Sequence, residues 1–120
     1  MVLGDPVDTA LLKAAIEVGL NIDQVRTAHP LLKLVPFSSE RKMMTTLHQD
    51  GGRFVALTKG APGIVLTHCS QCENEGEAYP INDNHCQEIR HTIQKLQSEG
   101  MYVLGLAHKS FETLVPDEQV

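Results

Sequence analysis

A chain of 120 residues, 42% hydrophobic and 21% charged, has room for one packed domain, residues 1–120, and little more. Its formal net charge of −5 argues against a nucleic-acid partner, which requires a concentrated Lys/Arg surface. No apolar run approaches the ~20 residues that span a bilayer, and no basic-then-apolar leader opens the sequence, so a soluble chain without direct membrane insertion is expected. The three cysteines, an odd number, fit a reducing compartment.

In chain order, Asp5 to Gly19 reads as a helix. Asp5 can cap it, Pro6 suits its first turn, Ala10, Leu11, Ala14, Ala15 and Val18 recur at helical spacing, and Gly19 stops it. A short second helix is expected from Ile22 to Ala28, with Pro30 behind it. Leu32 to Phe37 reads as a strand whose Pro36 marks an edge or a bulge. Lys42–His48 and Arg53–Lys59 are two further strands, joined by the turn residues Gln49, Asp50, Gly51 and Gly52. Strand alternation then puts Val55, Leu57 and Lys59 on one face and Phe54, Ala56 and Thr58 on the other.

Pro62 opens a short helix reaching Cys69, and Ser70 to Pro80 is polar, acidic and loop-like. Asn82 or Asp83 caps a long helix with Cys86, Ile89, Ile93 and Leu96 on its inner face, and Gly100 ends it. The apolar run Met101–Ala107 reads as a buried strand. Helices, a hairpin, then helix and strand predict an α+β domain: a mostly antiparallel β-sheet flanked by helices.

Three segments stand out for chemistry: Gly4 to Leu11 (GDPVDTAL), Pro36 to Met44 (PFSSERKMM) and Thr58 to Pro62 (TKGAP). Lys59 ends a strand and is a flexible point charge suited to phosphates, although most strand-end lysines are simply solvated. Gly60 behind it lets backbone approach a ligand closely. Phe37 offers an apolar ring for stacking on a base, where core packing is the plainer use. Asp8 lies in the first helical turn, where a carboxylate already complements the helix dipole.

In this order, and with the closing Gly100–Ala107 (GMYVLGLA), these segments resemble the nucleotide-binding (N) domain of P-type ATPases of the calcium- and sodium/potassium-pump type, from Gly4 to about Lys109. The resemblance implies an ATP pocket with Lys59 at its bottom, Phe37 against adenine and Asp8 accepting from the adenine amino group. Gly60, Ser39 and Arg41 would be neighbours. Ser39 and Tyr102 stand where pump members often carry phosphate-facing arginines, and Asp8 where Glu is more usual. Binding on the order of millimolar, about −4 kcal/mol, is therefore expected.

The resemblance further implies ATP or ADP as ligand and Mg only in the parent enzyme. Its implied partners are the phosphorylation and actuator domains of a membrane ATPase, and its place is the membrane's cytoplasmic face. The aspartyl-phosphate motif Asp-Lys-Thr-Gly-Thr, the Mg-binding Thr-Gly-Asp segment and membrane helices do not occur in these 120 residues, so an excised domain that binds without hydrolysing is expected.

Two other patterns compete. Cys69, Cys72, His85 and His91 have the loose spacing of a zinc-stabilised interaction domain. Against it, the spacer carries Glu73, Glu75, Glu77 and Asp83 and has Gly76 and Asn82 at the likely positions of a finger's aromatic and leucine, so core and surface thiols are the preferred reading. Thr27 to Leu31 (TAHPL) is similar to the Ser-Glu-His-Pro-Leu motif of heavy-metal P-type ATPases. That branch lacks the Phe37 and Lys59 segments, and His29 is read as a helix-end histidine.

Overall fold

The computed structural model describes residues 6–113. The chain runs α1 (Pro6–Glu17), α2 (Ile22–Ala28), β1 (Leu31–Val35), β2 (Met43–Asp50), β3 (Arg53–Gly60), α3 (Pro62–Thr67), β4 (Gln71–Asn74), β5 (Glu77–Pro80), α4 (Asp83–Ser98) and β6 (Gly105–Phe111). The expected cap Asp5 lies outside the described residues.

Local chemistry sets the helix ends. Asn21 caps α2 by accepting from the Gln24 amide at 3.1 Å, and Asn82 caps α4 by accepting from the His85 amide at 2.8 Å. Both long helices stop at a left-handed glycine, Gly19 at φ +91° and Gly100 at φ +84°. In each case the glycine amide donates three residues back and the next amide five back, as Leu20 to Ala15 (3.1 Å) and Met101 to Leu96 (3.1 Å) show. This double closure satisfies the last helical carbonyls and needs a residue without a Cβ penalty.

The four-stranded sheet has the order β1-β2-β3-β6 and is antiparallel throughout. β2 and β3 form the expected hairpin, with Asp50 opposite Arg53 and Gly51 at φ +61° in the two-residue turn. β1 is an edge strand with a register shift between Leu31 and Lys33, and Pro36 follows immediately outside it. The fold is the α+β arrangement that the sequence predicts.

Cross-strand pairing divides the side chains into two faces. One carries Met43, Thr45 and Leu47 of β2 opposite Gly60, Thr58 and Ala56 of β3. Met43, Thr45, Leu47 and Ala56 are buried there, and so are Val65 and Leu66 of α3. Helix α3 sits close because Gly105 leaves room for it. A Cβ on Gly105 would lie 2.9 Å from the Val65 Cβ and 3.0 Å from the Pro62 Cα. The expected inner face of α4, Cys86, Ile89, Ile93 and Leu96, is half-buried.

Two sequence expectations are corrected. The polar stretch after Ser70 is a second hairpin, β4–β5, not a loop; Glu75 and Gly76 turn it with φ +52° and +82°. Backbone pairing and a mirror-image turn form it without an apolar face. The last strand begins at Gly105 and continues to Phe111, whereas Met101 and Tyr102 are exposed outside it. Its length follows its partner, since Gly105 to Phe111 matches Gly60 back to Phe54 residue for residue.

Candidate functional site

The end of the sheet where β1 and β3 finish and β2 and β6 begin collects most of the chemistry. On the face away from α3, pairing aligns two rows across the strands. Leu34, Thr46, Leu57 and His108 form one, and Met44, Lys59 and Leu106 the other. The residues around Thr46, Leu57, Lys59 and His108 bound an open hollow of about 430 Å³ with a mainly apolar lining. That volume lies in the range of small-ligand sites, and such sites combine apolar walls with a few placed polar groups. Leu57 and Leu106 remain 43% and 65% exposed, so the hollow's floor is apolar surface open to solvent.

Lys59 reaches over this floor to Asp8 on α1, its partner 51 residues earlier in sequence. The contact joins the first and third of the sequence segments and brings the α1 N-terminal turn beside the hollow. Both side chains keep part of their surface in water, at 28% and 48% exposure. The pair is therefore accessible to an incoming anion and only modestly stabilising to the fold.

Phe37 lies two residues past β1 at this same end of the sheet and is 61% exposed, so it is no part of the core. Ser39 is exposed beside it, in the turn from Phe37 to Lys42. That turn is closed by Ser38, whose Oγ accepts from the Arg41 amide at 3.0 Å and whose carbonyl accepts from the Lys42 amide at 2.8 Å. The Arg41 guanidinium goes to the other face of the sheet. It donates to Thr45 Oγ1 at 3.0 Å, and Thr45 shares a 2.8 Å hydrogen bond with Thr58. Lys59 and Arg41 are thus not brought together.

Gly60 is used differently from the sequence expectation. The space a side chain would need is taken by the protein itself: a Cβ would meet the Lys42 carbonyl oxygen at 2.3 Å and the Met43 Cα at 2.8 Å. The close approach is of β2 to β3, with the neighbouring Ala61 amide donating to the same Lys42 carbonyl at 3.0 Å.

Sequence reading missed His108, because the last strand was expected to end at Ala107. In the structure His108 is on the Lys59 face, and its Nε2 lies 2.6 Å from Glu73 Oε1 on β4. Met44, Thr46 and Leu106 were missed as well; pairing them with the Leu57 and Lys59 face required the strand register.

The zinc alternative is not assembled. Among the described residues no group of three His, Cys, Asp or Glu side chains could hold a metal. Cys69 donates its thiol to the Val65 carbonyl at 3.2 Å, and the His85 ring packs edge-on against Tyr79 with centroids 5.6 Å apart. His29 closes α2 as a helix-end histidine. Its Nδ1 bonds the Val25 carbonyl at 3.0 Å, and its Nε2 lies 3.3 Å from the Asp50 carboxylate.

Comparison with known proteins shows the family of the chain. Residues 1–119 match the family model described as P-type ATPase, cytoplasmic domain N. Calcium-transporting ATPase 2, plasma membrane-type, of Arabidopsis thaliana is 32% identical over 98% of this chain and 12% of its own length. Calcium-transporting ATPase 4 of the same plant is 32% identical over 92% of the chain and 11% of its own length. A calcium-transporting ATPase of Listeria monocytogenes is 28% identical over 98% of the chain and 14% of its own length. The chain spans only that small share of these relatives. No helix among the described residues is long and apolar enough to cross a membrane.

Proposed function

The chain belongs to the family of P-type ATPase cytoplasmic N domains, and from that premise we propose that it captures an adenine nucleotide for phosphorylation of an aspartate in another domain of a parent pump. The observation that carries the reading is the meeting of Lys59 and Asp8 over an apolar hollow of about 430 Å³. Two distant segments converge there with the charge and the flat apolar surface that a nucleotide needs.

In this reading the Leu57 and Leu106 surface takes the apolar part of the ligand and excludes water from one side of it. The exposed Phe37 ring supplies a stacking face, a contact worth about 1–3 kcal/mol per base in nucleic-acid binders. Asp8 accepts from the adenine amino group, and Lys59 supplies a point charge to the anionic part. Ser39 is a neighbour at the rim, and Gly60 adjoins Lys59 in the chain but is packed against Lys42 and Met43 on the other face. Arg41, bound to Thr45 on the other face, supports the turn that carries Phe37 and gives the phosphates no direct contact in this arrangement.

With Lys59 as the one lysine or arginine among the described residues that line the hollow, affinity stays on the order of millimolar, about −4 kcal/mol. Mg belongs to the phosphoryl-transfer step in the parent enzyme, where it neutralises phosphate charge. Delivery of the γ-phosphate requires the domain to move against the phosphorylation and actuator domains by a hinge. The parent is placed in a membrane with this domain on the cytoplasmic face, and cation transport is its coupled activity.

A titration of the isotope-labelled chain with ADP, ATP and GTP, followed by NMR, tests the proposal. Saturable shifts at Asp8, Phe37 and Lys59, without added metal and weaker with GTP, are expected. Absence of shifts there up to ~10 mM nucleotide, weaker than about −2.7 kcal/mol, overturns it.

A further inference from the structure

The nucleotide reading uses Asp8, Phe37 and Lys59 and leaves His108 without a role, although it belongs to the lining of the same hollow. His108 of β6 stands opposite Leu57 of β3, so it is the diagonal neighbour of Lys59 on one face of the sheet. Its side chain is 52% exposed, open to a molecule lying in the hollow. Its Nε2 lies 2.6 Å from Glu73 Oε1 on β4. Glu73 is outside the lining and acts on the hollow through His108.

That contact sets the roles of the ring atoms. An ionised carboxylate only accepts, so Nε2 carries the hydrogen and donates, and in the neutral ring Nδ1 is then an acceptor. Thr46, across Leu57 in the same row, follows by the same reasoning. The His29 carbonyl only accepts, so His48 Nδ1 donates to it at 2.9 Å. His48 Nε2 in the neutral ring therefore accepts, and the Thr46 hydroxyl directs its one proton there at 2.8 Å. The row thus presents acceptors on both sides of Leu57, and the part of a ligand that lies over it must bring donors.

An adenine nucleotide with ionised phosphates has donors at two places, the exocyclic amino group and the ribose hydroxyls. Its phosphates are acceptors and are repelled by Glu73. Resting on the nucleotide reading, in which Asp8 takes the amino group and Lys59 the anionic part, we propose that His108 recognises the sugar: its Nδ1 accepts a hydrogen bond from a ribose hydroxyl. Glu73 is a positioning residue that holds the ring in the Nε2–H form. The β4–β5 hairpin, formed without an apolar face, supplies that carboxylate. Because the ring is open to water, the discrimination it gives is about three- to tenfold, far below that of an enclosed hydroxyl site.

The test compares ADP with its dideoxy analogue, which lacks both ribose hydroxyls, on the isotope-labelled 120-residue chain without metal. It is run at about pH 8, above the ordinary imidazole range. NMR shifts at Asp8, Phe37 and Lys59 give both affinities, and long-range proton–nitrogen correlations of the imidazole give its tautomer. Expected are ADP binding about three- to tenfold tighter than the analogue, an Nε2–H ring, and equal affinities at the lower value in His108→Phe. Glu73→Leu should shift the ring towards the Nδ1–H form and narrow the ratio, and Glu73→Gln, which keeps an acceptor, should retain both. Equal affinities in the wild-type chain overturn this inference and leave the nucleotide reading in place. So does a ratio that survives in His108→Phe, or a wild-type ring in the Nδ1–H form. If neither ligand gives saturable shifts, the nucleotide reading falls and this inference with it.

Discussion

Replacing Gly60 by alanine separates two uses of that glycine, approach to a ligand and approach to the protein's own chain. Gly60 is buried, opposite Met43 on one side and Gly105 on the other. The added Cβ would stand 2.3 Å from the Lys42 carbonyl oxygen, 2.8 Å from the Met43 Cα and 2.9 Å from the Met43 Cγ. The first two are backbone atoms, and no rotamer change relieves them. Shifting the Lys42 carbonyl also loosens its 3.0 Å bond from the Ala61 amide. Lys42 is already held at φ +58°, a conformation a lysine rarely adopts, so the turn has little slack.

Overpacking of this kind costs about 1–3 kcal/mol. The loss of unfolded-chain entropy from Gly to Ala offsets roughly 0.4–1 kcal/mol of it, because Gly60 does not need a positive φ. A net destabilisation centred on ~1.3 kcal/mol remains, roughly 5 °C in Tm for a chain of this size. Urea unfolding without nucleotide measures it as a lower midpoint at unchanged m. Gly52→Ala is the control, since a Cβ there meets nothing within 4 Å, and its midpoint should hold or rise slightly. A Gly60→Ala midpoint equal to wild type at the same m would refute the close-packing argument.

Three other perturbations bear on the site and its support. Lys59→Met should lower ADP affinity about tenfold, near 1.4 kcal/mol, with the amide spectrum otherwise intact; unchanged affinity in the NMR titration would remove Lys59 from the pocket. Thr45→Val strips a fully buried hydroxyl from both Thr58 and Arg41, so urea unfolding should show a loss of about 1–3 kcal/mol, with Thr45→Val/Thr58→Val recovering part of it. Because the Cys69 thiol is raised in the fold, the unfolded chain releases that proton first as pH climbs past about 9. Stability should therefore fall more steeply as pH rises past about 9 in wild type than in Cys69→Ser, and equal slopes in urea melts would contradict the shift.

The central hairpin was legible in the sequence because two independent signals agreed there. The turn residues Gln49 to Gly52 fixed where the chain reverses, and alternation through Arg53–Lys59 correctly put Leu57 with Lys59 and Ala56 with Thr58. Helix ends were legible for the same reason, since Asn82 and Gly100 act locally on their own backbone. The β4–β5 hairpin was not, because its apolar pattern is absent and only Gly76 marked the turn. The last strand misled reading by hydrophobicity. Met101 to Leu104 are apolar without being strand, while His108, Lys109 and Ser110 are polar and paired to β3.

The site divides along the same line. Asp8, Phe37 and Lys59 were singled out by the segments that carry them, and the fold brings Asp8 and Lys59 into contact. That Arg41 turns to the opposite face is decided by Thr45 and Thr58 meeting across two strands, a long-range pairing that no local pattern reports. His108 joins the hollow through the same kind of register.

Under the proposed nucleotide reading, the Asp8–Lys59 contact makes the hollow an ion exchanger. An anion arriving at Lys59 meets a cation that already has a carboxylate, so one ion pair dissolves as another forms. What it gains is the difference between two pairings in water-accessible surroundings, a smaller quantity than either pairing alone. Asp8, displaced from the ammonium, becomes an acceptor for whatever donor the same ligand carries. A ligand with an anionic end and an amino end rewards both halves of the trade, whereas inorganic phosphate rewards only one. On that proposal, selectivity for a two-ended molecule resides in a contact that, seen in the protein by itself, joins a helix to a sheet.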